Sequence, residues 1–258
     1  MGYIIKINGN SFDQNQLINV CKDYIALNRK DYYSEVYSFI LKWFDDKDYI
    51  YLKTSGTTGS PKTISLKKIH LINSAIATSR YFGLDSSMNL LLCLPVTFIA
   101  GIMMIVRAFV NKCNLIIEEP KSNPFIDVNE TIHFTAITPF QLFHSIDTIR
   151  SKEIRNIIVG GSEISAYLEG KVSELKTNVY ATYGMTETCS HVAIRSVNNP
   201  SNSDVYLAMD NITFSTDDQK CLIIHAPLIS DNPIYTNDCV ELIDKKRFRW
   251  LGRRDNII

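Results

Sequence analysis

Apolar residues recur along this chain with two periods. Leu17, Val20, Cys21, Tyr24 and Ile25 fall at helical spacing, as do Val36, Phe39, Ile40, Trp43 and Phe44, and they predict two amphipathic helices. Residues 3–7 alternate as a short strand does, and Asn8-Gly9-Asn10 turns it. The apolar run 49–52 leads into a polar, glycine-containing stretch; residues 64–66 then predict a strand and 67–81 a helix, with Ile69, Ile72, Ile76 and Tyr81 on or near one face. Residues 90–94 are continuously apolar at strand length, as expected of a strand covered on both faces. Pro95 ends that run, and a helix opens at Phe98 and continues through Phe109. Further strands are predicted at 114–117, 133–137, 156–159 and 178–181, with Pro139 suited to the first turn of a helix. Strands alternating with helices predict an α/β fold, a largely parallel sheet with helices on both faces.

The pattern changes after about residue 204. Short alternating runs at 212–214, 222–225, 240–243 and 248–251 are separated by Asp/Asn turns, which predicts a small β-rich subdomain. The expected division is an α/β core over 1–203, the β-rich subdomain over 204–251, and a short tail over 252–258. Pro95, Gly101 and Arg107 interrupt the most apolar stretch, 90–110, which therefore reads as strand, turn and helix rather than a membrane span.

Charge changes the picture by exclusion. Lys and Arg total 27 against 27 Asp and Glu, so the balance gives no support for nucleic acid or an acidic membrane surface as partner. The 6 cysteines are scattered and form no Cys-x-x-Cys pair, which argues against a zinc site or a disulfide framework. The N-terminus has no basic segment followed by an apolar one, so no signal peptide and a cytoplasmic location are expected. A homodimer is one open option for the assembly.

Candidate chemistry concentrates at residues 54–62, Thr-Ser-Gly-Thr-Thr-Gly-Ser-Pro-Lys. Gly56 and Gly59 free the backbone to curl and point successive N–H groups into one concavity. Thr54, Ser55, Thr57, Thr58 and Ser60 add side-chain donors, and Lys62 adds a point charge. These are the properties of a polyphosphate-binding loop. It is not a Walker loop: at the position of the second Walker glycine stands Pro61, which has no N–H and pushes Ser60 out of helical geometry. Two more polar motifs fall at predicted strand ends, Gly160-Gly161-Ser162 and Tyr183-Gly184-Met185-Thr186-Glu187. Ligands of open α/β sheets sit beyond the carboxyl ends of strands, so a composite site is expected there. Glu187 could hold a hard cation of the kind that accompanies nucleotides.

Together these motifs resemble the signatures of the adenylate-forming superfamily: acyl- and aryl-CoA synthetases, luciferases and peptide-synthetase adenylation domains. Residues 54–62 match its Thr-Ser-Gly-Thr-Thr-Gly-x-Pro-Lys pattern, and 183–187 match Tyr-Gly-x-Thr-Glu. By that resemblance, 54–62 bind the ATP phosphates, the backbone at Gly160, Gly161 and Ser162 flanks adenine, and Tyr183, followed by Gly184, packs on it. Thr186 contacts the α-phosphate and Glu187 binds Mg2+; these two are the expected catalytic residues. Tyr235-Thr236-Asn237-Asp238 resembles Tyr-x-Thr-Gly-Asp, whose aspartate holds the ribose hydroxyls; Asn237 replaces the glycine and is expected to tolerate a left-handed backbone there. Gly252-Arg253-Arg254-Asp255 resembles Gly-Arg-x-Asp, making Arg253 a ribose or phosphate contact and Asp255 the hinge of a C-terminal lid. The resemblance implies acyl-adenylate formation from an acid and ATP, then transfer to CoA.

The order of motifs holds from about residue 50 onward, although family members carry more chain before the loop and a lid after the hinge. The lid supplies a lysine that assists adenylation, so the chain as written is expected to bind ATP and to turn over poorly. Residues 94–101, Arg107 and the stretch 183–195 most resemble short bacterial o-succinylbenzoate–CoA ligases of menaquinone synthesis. Phe98 stands where many relatives have histidine, and Thr138-Pro139-Phe140-Gln141 resembles the substrate-side helix start. Arg107, Ser190, His191 and Arg195 are candidate partners for a second substrate carboxylate; each also reads as an ordinary helix-face or loop residue. Two alternatives stay open: a different acid ligase or carrier-protein adenylation domain, and a non-catalytic nucleotide-binding protein.

Overall fold

The computed structural model describes residues 4–53, 63–198 and 204–256. The N-terminal part contains β1 (Ile5–Ile7), β2 (Asn10–Phe12), α1 (Gln14–Ala26), α2 (Tyr32–Trp43), β3 (Tyr49–Lys53), β4 (Thr63–Lys67) and α3 (Lys68–Phe82). The middle contains β5 (Asn89–Leu92), α4 (Ile99–Asn111), β6 (Asn114–Ile117), β7 (Ile132–Ile137), α5 (Pro139–Ser151), β8 (Ile154–Val159), α6 (Ala166–Val172) and β9 (Asn178–Gly184). The remainder is almost all strand: β10 (His191–Ser196), β11 (Val205–Ala208), β12 (Thr213–Thr216), β13 (Cys221–His225), β14 (Ile234–Asp244) and β15 (Arg247–Arg253).

All strands but β3 and β4 join one sheet, in the order β12-β13-β14-β15-β11-β10-β9-β8-β7-β5-β6-β1-β2. Pairing is parallel from β9 through β8, β7, β5 and β6 to β1. It is antiparallel from β9 through β10, β11, β15, β14 and β13 to β12. The strands of 204–251 therefore continue the main sheet through the β10–β11 pair.

Period-2 alternation explains the layering. Leu90 and Leu92 of β5, Leu115 and Ile117 of β6, and Phe134 and Ala136 of β7 point into one core, which also holds the buried faces of α1, α2, α3 and α4. Leu91, Ile116, Ile137, Ile157 and Val159 point into the other, against Leu142, Ile146 and Ile149 of α5 and Leu168 and Val172 of α6. Strands buried on both faces need apolar residues at every position, and this is why their runs are continuous. Two helix starts are fixed by capping boxes, Asp13 with Gln16 on α1 and Thr138 with Gln141 on α5, where Pro139 occupies the first turn.

Candidate active site

The carboxyl ends of β8 and β9 form the centre of the site. These neighbours are parallel, with Val159 opposite Ala181, so Gly160-Gly161-Ser162 and Tyr183-Gly184 emerge side by side. A Cβ on Gly160 would come 2.6 Å from Thr182 Oγ1, an atom held by its bond to the Val159 carbonyl at 3.0 Å. Gly161 has φ +88°, a backbone that glycine adopts without strain. After Gly184 the chain makes one tight turn, Thr186–Thr188, closed by Met185 N–H donating to Thr188 Oγ1 at 2.9 Å. It returns as β10, with His191 opposite Gly184. A Cβ on Gly184 would collide with the Ser190 carbonyl and stand 2.6 Å from His191 Cα. The glycine is what lets the turn fold back, and that fold leaves the Glu187 side chain exposed and Thr186 half-buried at the mouth.

Thr54, Ser55, Gly56, Thr57, Thr58, Gly59 and Lys62 lie outside the described residues. Their flanks do not. Lys53 and Thr63 are paired in the β3–β4 hairpin, and β4 lies beside the Thr186–Thr188 turn. The segment 54–62 therefore joins the strands of a separate two-stranded sheet, and Glu187 belongs to the same corner of the molecule. A strand follows the segment, and α3 begins only at Lys68. This departs from the Walker arrangement, in which a helix N-terminus meets the phosphates.

Asp238 on β14 sits in register with Arg253 on β15. Its carboxylate accepts from Tyr183 Oη at 2.7 Å and from Trp250 Nε1 at 3.1 Å. The Tyr183 ring meets Phe248 edge-on at 5.2 Å between centroids. Burial, then the Asp238 charge, pushes the Tyr183 phenol well above its ordinary pKa, so it stays a donor. Arg253 is turned onto Asp255, with Nε 3.0 Å from Oδ1 and the second contact at 2.7 Å. That bond raises the Arg253 pKa and lowers that of Asp255. One expectation is corrected. Asn237 lies inside β14 and is not among the residues with positive φ. Thr236–Asp238 is strand rather than turn, so no glycine-like backbone is needed; Asn237 Oδ1 instead accepts from Arg254 at 3.2 Å.

A second cluster lies behind the turn. Phe98 is the exposed cap residue of α4. Two turns into that helix, Arg107 is 1 % exposed. Its guanidinium donates to Thr78 Oγ1 at 3.3 Å and Ser190 Oγ at 2.5 Å. It lies 3.4 Å from His191 Nδ1 and 5.8 Å from the Phe134 ring centroid. Among the described residues no carboxylate pairs with it. Burial pulls the Arg107 pKa down to about 9. Burial, then the Arg107 charge, holds His191 well below its ordinary value, so the imidazole is neutral at pH 7. Arg195 does not join this cluster. A register shift between His191 and Ala193 sends it to the other face of the sheet, where it pairs with Glu169 of α6 and lies over the Tyr206 ring.

Sequence reasoning missed Trp250 and Thr78. Trp250 carried no signal beyond strand alternation, and Thr78 none beyond a helical position; only topology brings them to Asp238 and Arg107. Among the described residues, no group of three or more His, Cys, Asp and Glu forms a metal cluster. An exposed Glu187 fits Mg2+ that arrives with a nucleotide, because that ion typically takes one or two carboxylates plus phosphate oxygens and waters. Among the described residues no helix is long and apolar enough to cross a membrane.

The family model for AMP-binding enzymes matches residues 30–214. The chain belongs to the AMP-binding enzyme family. Curated relatives of this AMP-binding protein include the 2-succinylbenzoate–CoA ligase of Lactococcus lactis subsp. lactis, 28 % identical over 149 residues, which are 57 % of this chain and 33 % of that protein. The ligase of the same name from Staphylococcus aureus is 28 % identical over 142 residues, 53 % of this chain and 29 % of that one. The chain thus spans about a third of the length of the curated relatives it matches. Among solved structures, the acyl-CoA synthetase (AMP-forming)/AMP-acid ligase II-like protein of Dyadobacter fermentans superposes with TM-score 0.79 at 34 % identity, over 89 % of this chain and 67 % of that one. The o-succinylbenzoate CoA synthetase of Bacillus subtilis in complex with ATP and magnesium ion shares the fold, with TM-score 0.69 at 21 % identity, over 81 % of this chain and 50 % of that one.

Proposed function

We propose that this AMP-binding protein activates a carboxylic acid as its acyl-adenylate and passes the acyl group to CoA, with o-succinylbenzoate as the acid. ATP phosphates are held by Thr54, Ser55, Gly56, Thr57, Thr58, Gly59 and Lys62. Gly160, Gly161 and Ser162 flank the adenine, beside Tyr183 and Gly184. Asp238, already fixed by Tyr183 and Trp250, takes the ribose hydroxyls, and Arg253 stands next to it on β15. Asp255 is the hinge of a lid. The substrate carboxylate attacks the α-phosphorus and pyrophosphate leaves; the CoA thiol then displaces AMP. Thr186 donates to the α-phosphate and Glu187 holds Mg2+, which offsets charge on the phosphates. No protein nucleophile is required.

One observation carries the choice of acid: Arg107 is buried without a carboxylate partner among the described residues, and Ser190, half-buried, bridges it toward the site. Such a guanidinium suits the second carboxylate of an aromatic diacid. Phe98, at the opening of the same helix, borders the acyl side. The names of the Lactococcus and Staphylococcus relatives support the same reading.

The test is binding of non-hydrolysable acyl-sulfamoyl adenosines. The o-succinylbenzoyl compound should bind at least about tenfold tighter than the benzoyl compound, a difference of about 1.4 kcal/mol. Equal binding would refute the choice of acid while leaving adenylate formation standing. Absence of binding by either would refute the nucleotide site.

A further inference from the structure

The six cysteines are far apart in sequence, yet two meet in the fold. Cys221 on β13 and Cys239 on β14 are directly opposite in the antiparallel ladder. Val240 N–H bonds the Lys220 carbonyl at 3.1 Å, and Cys221 N–H is taken by Asp217 Oδ1 at 2.8 Å. The cysteines thus face each other as a pair not joined by backbone hydrogen bonds, the class with the closer spacing, about 4.5 Å between Cα atoms. Disulfides span Cα separations of about 4.4–6.8 Å. Both thiols are free. Cys221 is buried and Cys239 is partly exposed, so an oxidant reaches Cys239 first.

The surrounding ladder is irregular on both sides. Register shifts fall between Cys221 and Ile223 on β13 and between Cys239 and Val240 on β14. On its β13 side β14 has no register partner between Tyr235 and Cys239, the stretch that carries Asp238, whereas on its β15 side Asp238 pairs with Arg253.

We propose that Cys221 and Cys239 are a thiol-oxidation site, closed to a cross-strand disulfide by low-molecular-weight disulfides, that braces the strand segment bearing Asp238. The Cys239 thiolate attacks one sulfur of the small disulfide, forming a mixed disulfide and releasing one small thiol. Cys221 gives its proton to solvent and attacks the Cys239 sulfur, releasing the second. Two cysteine thiols are oxidised and one small disulfide is reduced to two thiols. The geometry of β13 and β14 carries this inference, and it does not depend on which acid or nucleotide the protein binds.

The experiment incubates the full chain with glutathione disulfide, alkylates the remaining thiols and maps peptides without reduction, with melting measured in parallel. The expected product is a Cys221–Cys239 cross-link, free thiols falling from 6 to 4, and a midpoint raised by about 5 °C. Cys221→Ser should stop at a glutathione adduct on Cys239 with no rise. A wild-type protein that also stops at an adduct, keeps all its thiols or cross-links other cysteines would overturn the proposal.

Discussion

Replacing Arg107 by methionine separates a binding role from a structural one, because the two predict opposite changes in stability. At about 1.36 kcal/mol per pKa unit, the pull from 12.5 to about 9 penalises the charged guanidinium by about 5 kcal/mol. The sign follows from linkage: below about pH 9 folded and unfolded forms both carry the proton, so the penalty is fully present at pH 7. Against it stand the bonds to Thr78 and Ser190 and the contact with the Phe134 ring, each worth about 1 kcal/mol. Neither hydroxyl is stranded by the change, since Thr78 keeps its bond to the Ser74 carbonyl and Ser190 is half-buried. Methionine fills the same channel without charge. Arg107→Met should therefore be about 2 kcal/mol more stable, seen as a higher urea midpoint with unchanged slope. It should bind the o-succinylbenzoyl sulfamoyl adenosine about 10- to 100-fold more weakly, the value of a hydrogen bond to a charged group. Destabilisation by more than about 2 kcal/mol with affinity unchanged would mean that Arg107 only holds α4 to β10, and the reasoning would fail.

Gly184→Ala places a methyl group against the Ser190 carbonyl and His191 Cα; it should cost about 1–3 kcal/mol in denaturant titration and weaken nucleotide binding as the turn opens. Tyr183→Phe deletes the 2.7 Å bond to Asp238 and should weaken ATP about 5- to 30-fold, near 1–2 kcal/mol, in calorimetry, with little change in the acid preference. His191 has a folded pKa held below the ordinary 6.5, so the unfolded chain takes up the proton first. Its share of stability is present above about pH 6.5 and is lost as pH falls below it, with a slope of at most about 1.4 kcal/mol per pH unit. His191→Gln should flatten that limb, and an unchanged slope would show that other groups set it.

Much of the architecture was legible because doubly buried strands leave no choice of residue. β6 occupies the predicted 114–117, and β5, β7 and β8 lie within a few residues of their apolar runs. Other elements were hidden for physical reasons. α6 is short and buries only Leu168 and Val172, too few positions to show a period. β10 is not predicted: the stretch 183–195 is read for its family resemblance, whereas Gly184 folds the chain back so that His191 pairs with it. Thr236–Asp238 looked like a turn, yet it is strand: Asp238 pairs with Arg253 on β15, and Thr236 Oγ1 donates to the Leu222 carbonyl of β13. In the site, the strand-end motifs were legible as short strings. The joining of Arg107, Thr78, Ser190 and His191 was not, because it depends on α3, α4 and β10 packing on one face of the sheet.

The central claim is that the edge formed by β8, β9 and β14, together with the segment 54–62, is one Mg·ATP site. Calorimetric titration of Mg·ATP into the wild type and into Asp238→Asn tests it most directly. The account predicts one site per chain in the wild type, a loss of affinity of at least about tenfold in the variant, about 1.4 kcal/mol, and weaker binding when Mg2+ is chelated. Equal affinity in the two proteins, or no heat of binding in either, would contradict it.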